Sequence, residues 1–374
     1  MRIFAFIASI IAYAALSSPT PDAMGLGEFF VIALLFIALF HIKTINAALA
    51  HTLPSPLGFH RVFVLWMVSV PLFMGVINAN APQDIIRDII PVALLALPII
   101  MPRIDTRYFI ITLSIAGSLF AARYLFFAMP NMLQIGLSPA HDSLLYLANS
   151  PLVPFAAIIG FSQLFAVDKC PLIFRFLALL LFTLTIISMG LMVQRAPLIL
   201  TIMGCMALIG VRTAHAPTRT TIIATLLLIL CLPLIGFVIQ IYDGFVDKTL
   251  MVGTNNRLDE FMAVLSHSNL LGQGWGTEWQ SPAVADYWVR YTHNMATYYW
   301  LKAGIIGAIL SLIFIYLWLR EAIILTRHNL AIGLAIIIPI SIHFFLYTGY
   351  KTFDISLLLA LIILCKRDHH PSLS

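Results

Sequence analysis

The chain is short of charge. Only 10% of its 374 residues are Asp, Glu, Lys or Arg, while 61% are hydrophobic and the mean hydropathy is +0.99. Soluble domains carry about 25% charged residues, so this chain cannot cover a water-facing surface. An ordinary cytosolic enzyme, a nucleic-acid binder and a disordered protein are excluded, which leaves an integral membrane protein. Cysteine is sparse too. Cys170, Cys205, Cys231 and Cys365 lie in or beside apolar runs without metal-ligand spacing, as small apolar fillers do, and imply no disulfide framework. There is no internal repeat, low-complexity tract or soluble domain.

What the chain does have is long apolar runs. A bilayer core takes about 20 apolar residues per helix. Twelve stretches are candidates: 3–17, 26–42, 61–77, 85–101, 108–128, 151–167, 172–192, 196–211, 220–241, 293–319, 329–347 and 353–366. The expected fold is all-α and polytopic, one transmembrane domain over 1–374 with about twelve transmembrane helices. The first run follows Arg2 and has the look of a signal peptide, but Ser17-Ser18-Pro19 is a poor cleavage site, so a retained helix is expected. Thirteen of the 21 Lys and Arg fall in loops after even-numbered runs or at the termini, and five in the opposite loops. That asymmetry predicts cytoplasmic termini. Residues 242–292 then form one large outer loop, expected to contain short helices, and 129–150 a second, neutral one.

The uncommon residues gather on the outer side. Arg87 lies between Asp84 and Asp88 and is expected to pair locally. Arg123 and Lys302 fall inside runs, Lys302 roughly 13 Å deep at about 1.5 Å per residue. Such groups face the bundle interior or a wet cavity. Arg195, in Gln194-Arg195-Ala196-Pro197, opens a helix, since Pro197 suits a first turn. Backbone N–H groups, the positive dipole end and a guanidinium there suit a phosphate; a lipid-headgroup anchor is the plainer alternative. Arg257 repeats the design. Thr254-Asn255-Asn256 supplies caps, and Leu258, Phe261, Met262 and Leu265 follow with the spacing of an amphipathic helix. Asp259 and Glu260 share its first turn, where local ion pairs are the plainer reading. His293-Asn294 stands where the large loop enters the tenth run, and Gly304, Gly307, Ala308 and Ser311 read as a small-residue packing stripe.

His293-Asn294, nine residues, Gly304, two residues, Gly307 resembles the signature of the O-antigen ligase family, whose superfamily includes O-antigen polymerases and protein O-oligosaccharide ligases. Asn256-Arg257-Leu258-Asp259-Glu260-Phe261 and Gly272-Gln273-Gly274-Trp275-Gly276 look like that family as well. The likeness covers roughly 190–310. It departs at Lys302, where an acidic or neutral residue is more usual, and at Ala196, where Gly is common.

The resemblance implies an inverting, metal-independent glycosyltransferase without a cofactor, facing the periplasm from the bacterial inner membrane. The donor is a glycan on undecaprenyl diphosphate. The acceptor is a hydroxyl of lipid A–core for a ligase, in lipopolysaccharide assembly, or of another repeat unit for a polymerase. Arg195 and Arg257 would stabilise the leaving diphosphate. His293 would take the hydroxyl proton or hold the diphosphate as a cation. Asn294, Arg123, Arg290 and Lys302 complete the expected substrate contacts. Trp275 and Trp279, with Trp288, Tyr287 and Tyr291, offer aromatic faces for sugars; an interfacial aromatic belt explains them equally. No Asp-x-Asp pair stands at an outer helix start, and Asp243 and Asp247 are too widely spaced for one. A lipid-linked sugar flippase is the rival from another class, but two similar halves or paired broken helices are not present. A non-catalytic envelope scaffold would not need outward Arg, Arg and His.

Overall fold

The structure is a computed structural model. It describes residues 1–17, 26–39, 55–135, 149–165, 171–192, 195–231, 239, 242–243, 246, 256–267, 269–284, 287–346 and 352–369. In chain order its helices are α1 (Arg2–Leu16), α2 (Leu26–Leu39), α3 (Leu57–Ile77), α4 (Pro82–Ala93), α5 (Leu97–Ile100), α6 (Thr106–Ile135) and α7 (Leu152–Leu164). Then come α8 (Leu172–Leu191), α9 (Arg195–His215), α10 (Pro217–Cys231), α11 (Asn256–Ser266), α12 (Met295–His328), α13 (Leu330–Leu346) and α14 (Thr352–His369). The described residues are all-α apart from a short hairpin.

Helix lies on each of the twelve apolar stretches. Among the described residues five helices are long and apolar enough to cross a membrane: α3, residues Thr106–Ala128 of α6, α8, α9 and α12. The fourth stretch is not one regular α-helix. It breaks into α4, a 3-10 turn at Leu94–Ala96 and α5, with Pro91 and Pro98 each removing a helical N–H donor. α6 runs on to Ile135, into what the sequence suggested was a loop. α7 has only 13 residues, about 20 Å at 1.5 Å per residue. It is apolar all round and almost wholly buried, packed on α6, α8 and α13. α14 is buried from Thr352 to Cys365. Helices without a polar face belong inside a bundle.

Polar groups in this core are used as clips. His60 is fully buried. Its Nε2 donates to the Leu95 carbonyl at 2.6 Å and its Nδ1 accepts from Trp318 Nε1 at 3.1 Å, which joins α3, the 3-10 turn and α12. The large loop is more ordered than short helices alone. It carries α11 and an antiparallel hairpin, β1 (Trp279–Ser281) with β2 (Tyr287–Val289), in which Gln280 faces Trp288.

Candidate functional site

The site begins with α12. Asn294 caps it, its side-chain oxygen accepting from Thr297 N at 2.9 Å. Thr292 Oγ1 lies 2.9 Å from Thr297 Oγ1 and ties the preceding strand to the same turn. His293 is therefore held against a rigid helix start. Asn294 belongs to that frame, and its side-chain oxygen is spent on the cap.

α11 supplies the partner. Glu260, only 2% exposed, accepts from the His293 backbone N–H at 2.9 Å and from Ser281 Oγ at 3.1 Å. Its two oxygens lie 3.0 and 3.1 Å from His293 Nδ1. An ionised carboxylate only accepts, so Nδ1 carries the proton. A neutral ring then has its lone pair on Nε2, which has no partner among the described residues. The His293 side chain is about a quarter exposed. Tyr291 stands edge-on to it at 5.9 Å; burial, and then the Glu260 charge, push the Tyr291 phenol up from its ordinary value. Arg257 is exposed on the first turn of α11, three residues before Glu260. Residues so spaced are neighbours on a helix surface. The caps expected at Thr254 and Asn255 lie outside the described residues.

Below the dyad, loop 269–277 is wedged between two helix breaks. Gly304 has φ +70° and ψ −166° inside α12. The break strips Leu301 and Lys302 of helical donors, and Gln273 N and Gly274 N take their carbonyls at 2.9 Å each. Ile305 N, freed likewise, donates to Asn269 O at 3.0 Å. In α3, Pro71 has no N–H, so the Met67 carbonyl is free for Trp275 Nε1 at 2.8 Å. Gly274 has φ +84°, and a Cβ there would fall 2.1 Å from Gly75 N. Gly304 is thus not part of a packing stripe; it is the opening that admits the loop.

Lys302 pins the wedge. It is fully buried, with Nζ 2.8 Å from Asp88 Oδ2 and 2.7 Å from the Thr277 carbonyl. Asp88 also accepts from Gly276 N at 2.8 Å. Asp84, one turn earlier, takes Arg290 at 2.7 Å, and Glu278 holds the same guanidinium at 2.7 Å. Burial works against the Arg290 charge, but Glu278 and Asp84 outweigh it and raise its pKa. The two carboxylates that flank Arg87 in sequence thus also tie the loop and hairpin.

Several sequence candidates take other places. Trp275 is completely buried and Trp279 is 3% exposed, with Nε1 on the Tyr291 carbonyl at 3.0 Å. Neither offers an open face to a sugar; Trp288, 64% exposed, does. Arg123 binds the Ala14 and Ser17 carbonyls at 2.9 and 2.8 Å, closing the end of α1 rather than lining this site. Arg195 opens α9, half-buried, as the Pro197 signal suggested. That helix packs chiefly on α7, α10 and α13, and among the described residues no helix contact of α9 leads to His293.

Sequence reasoning missed Glu260 as the partner of His293 and Ser281 as a second donor to that carboxylate. The available signal was a carboxylate three residues after Arg257, on the same helical face as Val264. Among the described residues no group of three His, Cys, Asp or Glu is gathered to hold a metal. The chemistry on offer is an oriented imidazole, its carboxylate and a nearby guanidinium. Compared with known protein families, characterised proteins and solved structures, the chain matches none of them.

Proposed function

We propose that this chain is an O-antigen ligase-like glycosyltransferase of the bacterial inner membrane. In this reading all twelve apolar stretches cross the bilayer, the termini are cytoplasmic and 242–292 faces the periplasm. A glycan passes from undecaprenyl diphosphate to a hydroxyl of lipid A–core. The observation that carries the reading is the dyad: Glu260 fixes Nδ1 of His293 and leaves Nε2 open, one turn from exposed Arg257.

The chemistry follows from that arrangement. Nε2 accepts the proton of the acceptor hydroxyl as its oxygen forms a bond to the anomeric carbon. The bond from that carbon to the diphosphate breaks on the opposite face, so the configuration inverts. Its electron pair goes to the diphosphate oxygen, where Arg257 balances the charge. Glu260 stabilises the imidazolium that forms, as a carboxylate does for a catalytic histidine. A polymerase would use the same groups with a lipid-linked repeat unit as acceptor.

The test is product identity. Purified protein in lipid is mixed with undecaprenyl-diphosphate glycan and lipid A–core. A capped core supports the ligase, and a longer lipid-linked chain the polymerase. No transfer to either acceptor overturns the reading.

A further inference from the structure

α11 has three faces. At roughly 100° per residue, Glu260 and Val264 share the face turned to the protein, where both are buried. Leu258, Phe261, Met262 and Leu265 fall on the next face. Leu258 is 65%, Met262 58% and Phe261 37% exposed. Asp259 and Ser266, both exposed, fall on the third. A helix on a water-facing surface turns its apolar stripe to the core. Here the core side holds the carboxylate that binds His293, and the apolar stripe points away from the protein.

Two observations say what covers the stripe. A polar face adjoins it, as a boundary between oil and water requires. The stripe also leads onto α12: Phe261 stands edge-on to Trp300 at 6.1 Å, and Ile305, Ile309, Leu312 and Tyr316 are exposed further along that helix. These are side chains of a helix long and apolar enough to cross a membrane. Exposed Leu270 and Trp288 extend the apolar surface in the loop and hairpin.

We propose that α11 lies in the headgroup–acyl boundary of the outer leaflet, with Leu258, Phe261 and Met262 against lipid and Asp259 and Ser266 against water. Exposed Arg257, at the start of the helix, meets lipid phosphate there. Glu260 and His293 are then held at a fixed depth, at the level where a lipid diphosphate meets water. The depth of the dyad matters to catalysis only under the glycosyltransferase reading; the lipid contact rests on the membrane location alone.

The test uses the full chain in phospholipid vesicles, with its native cysteines replaced by alanine. Leu258→Cys, Met262→Cys, Asp259→Cys and Ser266→Cys each carry a nitroxide. Collision is measured with oxygen, which concentrates in lipid, and with a water-soluble nickel chelate. Positions 258 and 262 are expected to show an oxygen-to-nickel ratio several-fold above that at 259 and 266. Nickel access at 262 equal to that at 259 would put the stripe in water. Shielding of 262 from both agents would put protein, such as a second copy of the chain, over it. Either result overturns the proposal. No glycan transfer is measured, so a failed transfer assay leaves this result standing, and the reverse holds too.

Discussion

Replacing Gly304 with alanine should undo the wedge that supports the site. The φ of +70° with ψ of −166° is a conformation open essentially to glycine. Strain alone is about 1–3 kcal/mol for another residue. The added Cβ would also lie 2.3 Å from the Leu270 carbonyl oxygen and 2.5 Å from Gly272 N. Both are backbone atoms, so no rotamer change relieves the clash. Alanine meanwhile favours a regular helix over glycine by about 1 kcal/mol. The easier response is for α12 to straighten and expel residues 269–277. The helix then remakes its own hydrogen bonds, while Gln273 N and Gly274 N lose theirs, at about 1 kcal/mol each. Gly304→Ala is therefore expected to lose about 3 kcal/mol or more and to expose the loop to protease. Gly210→Ala is the control, because nothing lies within 4 Å of its added Cβ. It should be neutral or gain up to about 1 kcal/mol. Thermal unfolding in detergent and limited proteolysis read both effects. A Gly304→Ala protein as stable and as protected as wild type would refute the reasoning.

Lys302→Met leaves Asp88 buried without its cation, and thermal unfolding should register a loss of about 3–5 kcal/mol; adding Asp88→Asn should recover part of it. Arg257→Lys keeps the charge but loses the bidentate fork. It should insert normally and transfer glycan poorly, as measured by expression in membranes alongside turnover. Reporter fusions at 20, 80, 140 and 270 should read as periplasmic and those at 50, 105, 215 and 370 as cytoplasmic, following the Lys and Arg asymmetry.

Helices were legible wherever local signals sufficed. The runs at 61–77 and 172–192 are apolar over nearly their whole length and match α3 and α8 closely. The spacing from Leu258 to Leu265 announced α11. Its orientation was not legible, because an amphipathic pattern does not say whether the apolar stripe meets protein or lipid. The site depended on contacts between distant residues. Lys302 finds Asp88 across 214 positions, and Trp275 finds the carbonyl freed by Pro71 from 208 positions away. Gly304 reads like any helical glycine until the docked loop shows which carbonyls it frees. Trp275 and Trp279 looked like sugar platforms because composition cannot tell a buried indole from an open one. The hairpin strands are three residues each, too short for alternation to register.

The central claim is that His293 is a base oriented by Glu260. The most direct test is turnover of undecaprenyl-diphosphate glycan from mildly acidic to mildly basic pH, with wild type, His293→Ala and Glu260→Gln inserted equally in lipid. The base form of imidazole is the deprotonated one, so wild-type activity should rise with pH through the range in which histidine titrates. His293→Ala should lose about 10²–10⁴-fold and show no such rise. Glu260→Gln, which removes the carboxylate that fixes Nδ1, should also be strongly impaired. Wild-type rates in His293→Ala, or wild-type activity that falls with pH across that range, would contradict the account.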